Sequence, residues 1–133
     1  MKTKKPKATF VVEKSSTGFS AYWVWEAGNS TVATTGGDLT ELKANMLEAA
    51  NLAVENFGFE FTAEEIGYQM DLPQFFEYYS ELNVKGLARR VGLNRSLLAQ
   101  YIGGQKKPSE KQTAKILEGI RGLGRELASL ELA

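Results

Sequence analysis

The segment from Asn83 to Pro108, NVKGLARRVGLNRSLLAQYIGGQKKP, constrains the fold of this chain more than any other. Leu87, Ala88 and Val91 recur at helical spacing, and Gly92 follows them. A glycine there suits the left-handed conformation of a tight turn between crossed helices. Leu93 is placed to fill the space under the turn, and Leu98 with Tyr101 or Ile102 continues the buried face of a second helix. Ala88 is small where that second helix has to cross closely. The pattern predicts a helix-turn-helix, with Asn94, Arg95, Ser96 and Gln100 left outside to face a DNA groove. A purely structural helical hairpin carries the same glycine and the same apolar and basic alternation, and stands as the competing reading.

Charge sharpens the choice. From Lys85 to Lys115 there are eight Lys or Arg residues against one acid, Glu110, whereas the whole chain balances 16 bases with 16 acids. Positive charge is therefore concentrated here, where it would neutralise phosphates and release their counterions. Residues 8 to 70 show the opposite bias, nine acids against two lysines, and residues 71 to 133 carry ten bases against seven acids. An acidic module joined to a nucleic-acid module fits this asymmetry.

Composition bounds the rest. With 133 residues, 43% of them apolar, the chain can build one domain or two small ones. No apolar run approaches the ~20 residues of a membrane span, and the lysine-rich start lacks the apolar segment of a secretory signal, so a cytoplasmic protein is expected. There is no Cys and no His. That removes disulfides, thiolate metal sites, the commonest general base and the commonest transition-metal ligand. No paired acids on a recognisable scaffold and no phosphate-binding glycine loop are evident, so the expectation is a non-enzyme without cofactor or metal.

Met1 to Lys7 (MKTKKPK) is expected to be a flexible basic tail. Thr9 to Lys14, Phe19 to Glu26 and Thr31 to Thr35 have the composition of strands separated by turns. In the second, Phe19, Ala21, Trp23 and Trp25 share one face, and Tyr22 and Val24 the other. Asp38 or Thr40 can cap a helix whose apolar positions run from Leu39 to Phe57 before Gly58. Ile66, Tyr68, Met70 and Leu72 alternate with polar residues or glycine, predicting a fourth strand that ends at Pro73. Residues 73 to 133 are expected to be helical throughout, with the last helix opening at Pro108-Ser109, weakened at Gly119, Gly122 and Gly124, and interrupted near Gly122 to Gly124. The fold class is thus α+β: a β-β-β-α-β layer over residues 8–72, then an all-α helix-turn-helix domain over 73–133.

With both halves in view, the chain resembles the HicB family of antitoxins, in the form that ends in a helix-turn-helix of the Cro and lambda-repressor type. The amino-terminal likeness rests on TFVVEKSSTGFSAYWVWEA and TTGGDLTELKANMLEAANLAVENFG, with Gly37-Asp38-Leu39-Thr40-Glu41 at the strand-to-helix junction. The carboxy-terminal likeness rests on the L-A-x-x-x-G of Leu87 to Gly92 and on YIGGQKKPS, Tyr101 to Ser109. The resemblance implies a partial RNase H-like fold for residues 8 to 72 and a small, basic, HicA-like ribonuclease toxin as partner. It also implies repression of the operon through operator DNA. The chain departs from the family in lacking the proline-rich segment after the second strand, where Glu26 to Ser30 stand instead.

The candidate DNA-binding residues follow. Arg95 is the candidate for a bidentate contact to guanine and Gln100 for adenine; Asn94 caps the helix or touches phosphate, and Ser96 and Ala99 make short contacts. Lys106, Lys107 and Lys85 are expected at backbone phosphate, with a solvated charge as the alternative for each of them and for Arg95. Phe19, Tyr22, Trp23 and Trp25 are the aromatic group from which a partner surface could be drawn, or else core. A homodimer or higher oligomer is expected, because one module reads only a few base pairs, and Leu123, Leu127, Leu130 and Leu132 either offer apolar surface for it or pack within the chain. Two other classes stay open: a DNA-binding regulator whose sheet senses a ligand or mediates assembly, and a carboxylate-dependent nuclease.

Overall fold

The computed structural model describes residues 4–133. Two compact units divide between Met70 and Asp71. The first contains β1 (Ala8–Ser15), β2 (Gly18–Trp25), β3 (Ser30–Gly36), α1 (Leu39–Val54) and β4 (Ile66–Gln69). Its sheet has the order β3-β2-β1-β4; β1 pairs with β2 and β2 with β3 antiparallel, and β4 joins β1 in parallel.

Alternation along the strands decides which face is covered. Phe10, Val12, Phe19, Ala21, Trp23, Trp25 and Val32 are buried on one side, while Ser20, Tyr22, Val24, Thr31, Ala33 and Thr35 are exposed on the other. The buried side lies under α1, whose Leu39, Leu42, Met46, Ala50 and Val54 recur at helical spacing and are buried in turn. The helix starts where expected, since the Glu41 amide donates to the Asp38 carboxylate at 2.8 Å. Gly36 permits the close junction: a Cβ there would lie 2.6 Å from the Leu42 backbone nitrogen.

The structure corrects the aromatic group. Phe19, Trp23 and Trp25 belong to the core, at 5%, 5% and 3% exposure, so they form no partner surface; of the four aromatics only Tyr22 is exposed. Their burial follows from the pairing of a two-faced strand with a single helix: one face is taken, and all three sit on it. Trp23 stacks on Trp25 with ring centroids 5.7 Å apart, and Phe57 and Phe61 meet them edge-on at 4.8 and 6.0 Å. The segment carrying Phe61 is fastened by Asn51, which accepts from the Phe61 amide at 2.7 Å and donates to its carbonyl at 3.2 Å.

Further boundaries shift. α1 gives way to a 3-10 turn at Glu55–Phe57. The fourth strand stops at Gln69 rather than running to Leu72, because Asp71 caps α2 (Leu72–Tyr78), accepting from the Gln74 amide at 2.9 Å, with Pro73 in its first turn. Proline there opens a helix instead of closing a strand, which moves the start of the second unit from residue 73 to Asp71. Of the basic tail, residues 1–3 lie outside the described residues. Lys5 is held rather than free: its Nζ lies 2.7 Å from Glu65 and 5.2 Å from the centre of the Phe61 ring.

The second unit continues with α3 (Val84–Val91), α4 (Arg95–Ile102) and α5 (Glu110–Ser129). Phe76, Leu87, Ala88, Val91, Leu98, Tyr101 and Ile116 form its core, one or more from every helix. The expected interruption of α5 at Gly122 to Gly124 does not occur; the helix runs to Ser129. Each glycine costs about 1 kcal/mol of helix propensity relative to alanine. That cost is offset where α5 is anchored, by the buried Ile116 and by Glu126, which binds Arg90 of α3. Among the described residues no helix is long and apolar enough to cross a membrane.

Candidate nucleic-acid interface

The link between α3 and α4 is three residues, Gly92-Leu93-Asn94. Gly92 adopts φ 81°, ψ 29°, and both its amide and that of Leu93 donate to the Ala88 carbonyl at 2.9 Å. The Ala88 carbonyl thus takes two amides, and the second of these bonds closes the helix in a left-handed turn. Leu93 packs against the core from below. Asn94 then starts α4: its side-chain oxygen accepts from the Ser96 amide at 2.8 Å and from the Leu97 amide at 3.4 Å. The carboxamide oxygen is thus committed to the cap, and only its NH2 is left for an outside acceptor.

Helical phase sorts α4 into two sides. Leu98 and Tyr101 are buried, with Leu97 and Ile102 half-buried beside them. Arg95, Ser96, Ala99 and Gln100 are all exposed, and at 100° per residue they fall within one arc of about 140°. The sequence-derived candidates therefore share one outward face. It begins at the helix N-terminus, where backbone N–H groups favour phosphate.

The surrounding cations divide by whether a carboxylate already holds them. Arg90 is bound to Glu126, whose carboxyl it draws below the usual range, chiefly through the hydrogen bond; Arg125 is 2.8 Å from Glu118. Among the described residues no ion pair engages Lys85, Arg89, Arg95, Lys106, Lys107, Lys111 or Lys115. Lys106 and Lys107 lie exposed in the loop between α4 and α5, where the Lys106 amide donates to the Gln100 carbonyl at 3.2 Å. Lys85 is exposed in the first turn of α3.

One residue of the basic stretch was counted there but not singled out as a candidate contact. Lys115, on α5, places its Nζ about 3.8 Å from where a Cβ on Gly92 would lie, so it overhangs the turn. Its position depends on α5 folding back over α3, which local spacing does not disclose. On the first unit the open sheet face bears a hollow of about 540 Å³ lined by Ser20, Ala21, Tyr22, Ala33, Thr34 and Thr35, with no carboxylate or cation among them. Compared with protein-family models, curated proteins and solved structures, the chain matches none significantly.

Proposed function

We propose that this chain is an antitoxin-like transcriptional repressor: its second unit is a helix-turn-helix that reads operator DNA, and its first, HicB-like and partly RNase H-like, neutralises a small basic ribonuclease toxin. The observation that carries the DNA half is the single exposed face of Arg95, Ser96, Ala99 and Gln100, opened by the Asn94 cap, in a unit whose exposed Lys85, Lys106 and Lys107 make no ion pair among the described residues. Arg95 and Gln100 supply forked donors and acceptors to base edges, and Lys85, Lys106 and Lys107 meet phosphate.

The partner half rests on the acidic balance of residues 8 to 70, which complements a basic RNA-binding protein. The strand and helix order β-β-β-α-β supports the family likeness. A two-fold dimer would let two such modules engage a palindrome, and Leu127, Leu130 and Leu132, all exposed, supply apolar surface for it.

A mobility-shift titration on the DNA upstream of the gene tests the DNA half. Arg95→Ala should cost ~1–3 kcal/mol on the preferred site and relax its sequence preference. Unchanged binding and preference would remove Arg95 from the reading. Co-purification with the product of the adjacent gene tests the partner half, with a small basic protein expected.

A further inference from the structure

β3 is an edge strand, and it is built without the usual protection. From Ala27 to Gly37 no side chain is ionisable and none is proline. Edge strands ordinarily carry an inward charge, a lysine, a proline or a bulge to discourage pairing with another chain. In an antiparallel ladder, successive residues turn their backbone groups alternately to one neighbour and the other. The Gly36 carbonyl lies beside Gly18 of β2, while the Thr35 carbonyl accepts from Asn45 Nδ2 of α1 at 2.8 Å. Thr31 and Ala33, in phase with Thr35, therefore turn their N–H and C=O groups to the open side, and both residues are exposed.

The Asn45 contact also fixes what overlooks that edge. Residues three and four apart on a helix are neighbours, so Glu41, Glu48 and Leu52 share the side of α1 that Asn45 presents to β3. All three are exposed, and Leu52 retains 63% of its surface. Glu41 additionally borders the hollow formed by Thr35, Gly36 and Gly37. The edge thus combines a neutral strand whose Thr31 and Ala33 backbone groups turn outward with a flanking row of two carboxylates around an apolar residue. Lys43, the one lysine on α1, is on the other side, 5.0 Å from the Tyr68 ring of β4.

We propose that β3 is the docking edge of the first unit, and that it takes an extended segment of a basic protein by strand addition. Backbone hydrogen bonds to Thr31 and Ala33 would hold the segment, and Lys or Arg on its inner side would meet Glu41 and Glu48. A second copy of this chain is the poorer occupant. Pairing β3 with its own mate would bring the Glu41 and Glu48 row toward an identical row, and like charges oppose that approach. The proposal rests on the reading that the first unit binds a basic partner, and it specifies where and how.

The test uses the full-length, isotope-labelled chain and a capped synthetic peptide of about nine residues alternating Lys with Val, long enough to span an ordinary strand. Saturable shifts of the Thr31 and Ala33 amide resonances are expected, and a Glu-for-Lys twin of the peptide should produce none. Ala33→Pro, which removes an edge N–H at a position that suits proline, should weaken the peptide roughly tenfold. Glu41→Gln with Glu48→Gln, a surface change that leaves the core intact, should weaken it at least about threefold at low salt. Absent shifts, or affinities indifferent to the double variant, would overturn the proposal. So would Thr31 and Ala33 amides that become protected as the chain alone is concentrated, which would assign the edge to a second copy. If the peptide fails while a basic protein still co-purifies, strand addition falls and the partner reading stands.

Discussion

Two glycines five residues apart on α5 should respond to the same substitution with opposite signs. At Gly124 an added Cβ meets nothing within 4 Å, so Gly124→Ala collects only the propensity gain, about 1 kcal/mol. At Gly119 the Cβ would lie 2.5 Å from Cγ2 of Val91, a buried β-branched residue of α3 that is stiff at χ1. Overpacking of that kind costs about 1–3 kcal/mol, against the same 1 kcal/mol gain. Gly119→Ala should therefore be neutral or destabilising by up to about 2 kcal/mol, leaving the two variants roughly 1–3 kcal/mol apart. The assay is urea unfolding followed by helical circular dichroism, with thermal midpoints as a second reading; a domain of this size shifts about 4–8 °C per kcal/mol. Adding Val91→Ala to Gly119→Ala should cost less than the two single changes summed, because the shortened side chain makes room. If Gly119→Ala and Gly124→Ala stabilise alike, the close approach of α5 to α3 is not what requires glycine at 119, and the argument fails.

Other expectations are more local. Lys106→Ala should weaken binding to every DNA sequence by a similar factor and lower the dependence of log affinity on log salt by about 0.9, measured by titration at several ionic strengths. Asn94→Ala removes the cap from the Ser96 and Leu97 amides and should destabilise the second unit by about 1 kcal/mol, whereas Asn94→Ser should largely restore it. Asn51→Asp replaces the donor facing the Phe61 carbonyl with an acceptor, so it should cost about 1–3 kcal/mol in a melt followed by tryptophan emission. Glu126 should titrate below the ordinary glutamate range by NMR, held there chiefly by the Arg90 hydrogen bond, and return to that range in Arg90→Ala. Because its folded value is the lower one, the stability it adds is present at neutral pH and is lost as pH falls through that value.

What the sequence disclosed was mostly local. Alternation placed Phe19, Ala21, Trp23 and Trp25 on one face, and Gly92 with Asn94 marked the turn and cap between α3 and α4. Alternation could not say which face of β2 a helix would cover, and so left the tryptophans open between core and partner surface. The β4 to α2 boundary was misplaced because Asp71-Leu72-Pro73 satisfies two rules at once, a strand stop and a helix start, and the Gln74 amide chose the second. Glycine at 119 looked like a weakness until Val91 supplied the reason for it. Lys115 over the turn, Asn45 on the Thr35 carbonyl and Asn51 on Phe61 join residues ten or more apart, and no spacing rule announces them.

The stacked pair Trp23 and Trp25 comprises every tryptophan in the chain. Red-edge excitation therefore interrogates the first unit alone, and the second contributes only tyrosine and phenylalanine, which stay dark under it. A ligand that settles on the sheet has a built-in optical reporter beneath it, whereas DNA engaging α4 has none. If the chain binds both a partner and DNA as proposed, one cuvette tells the two events apart without a label.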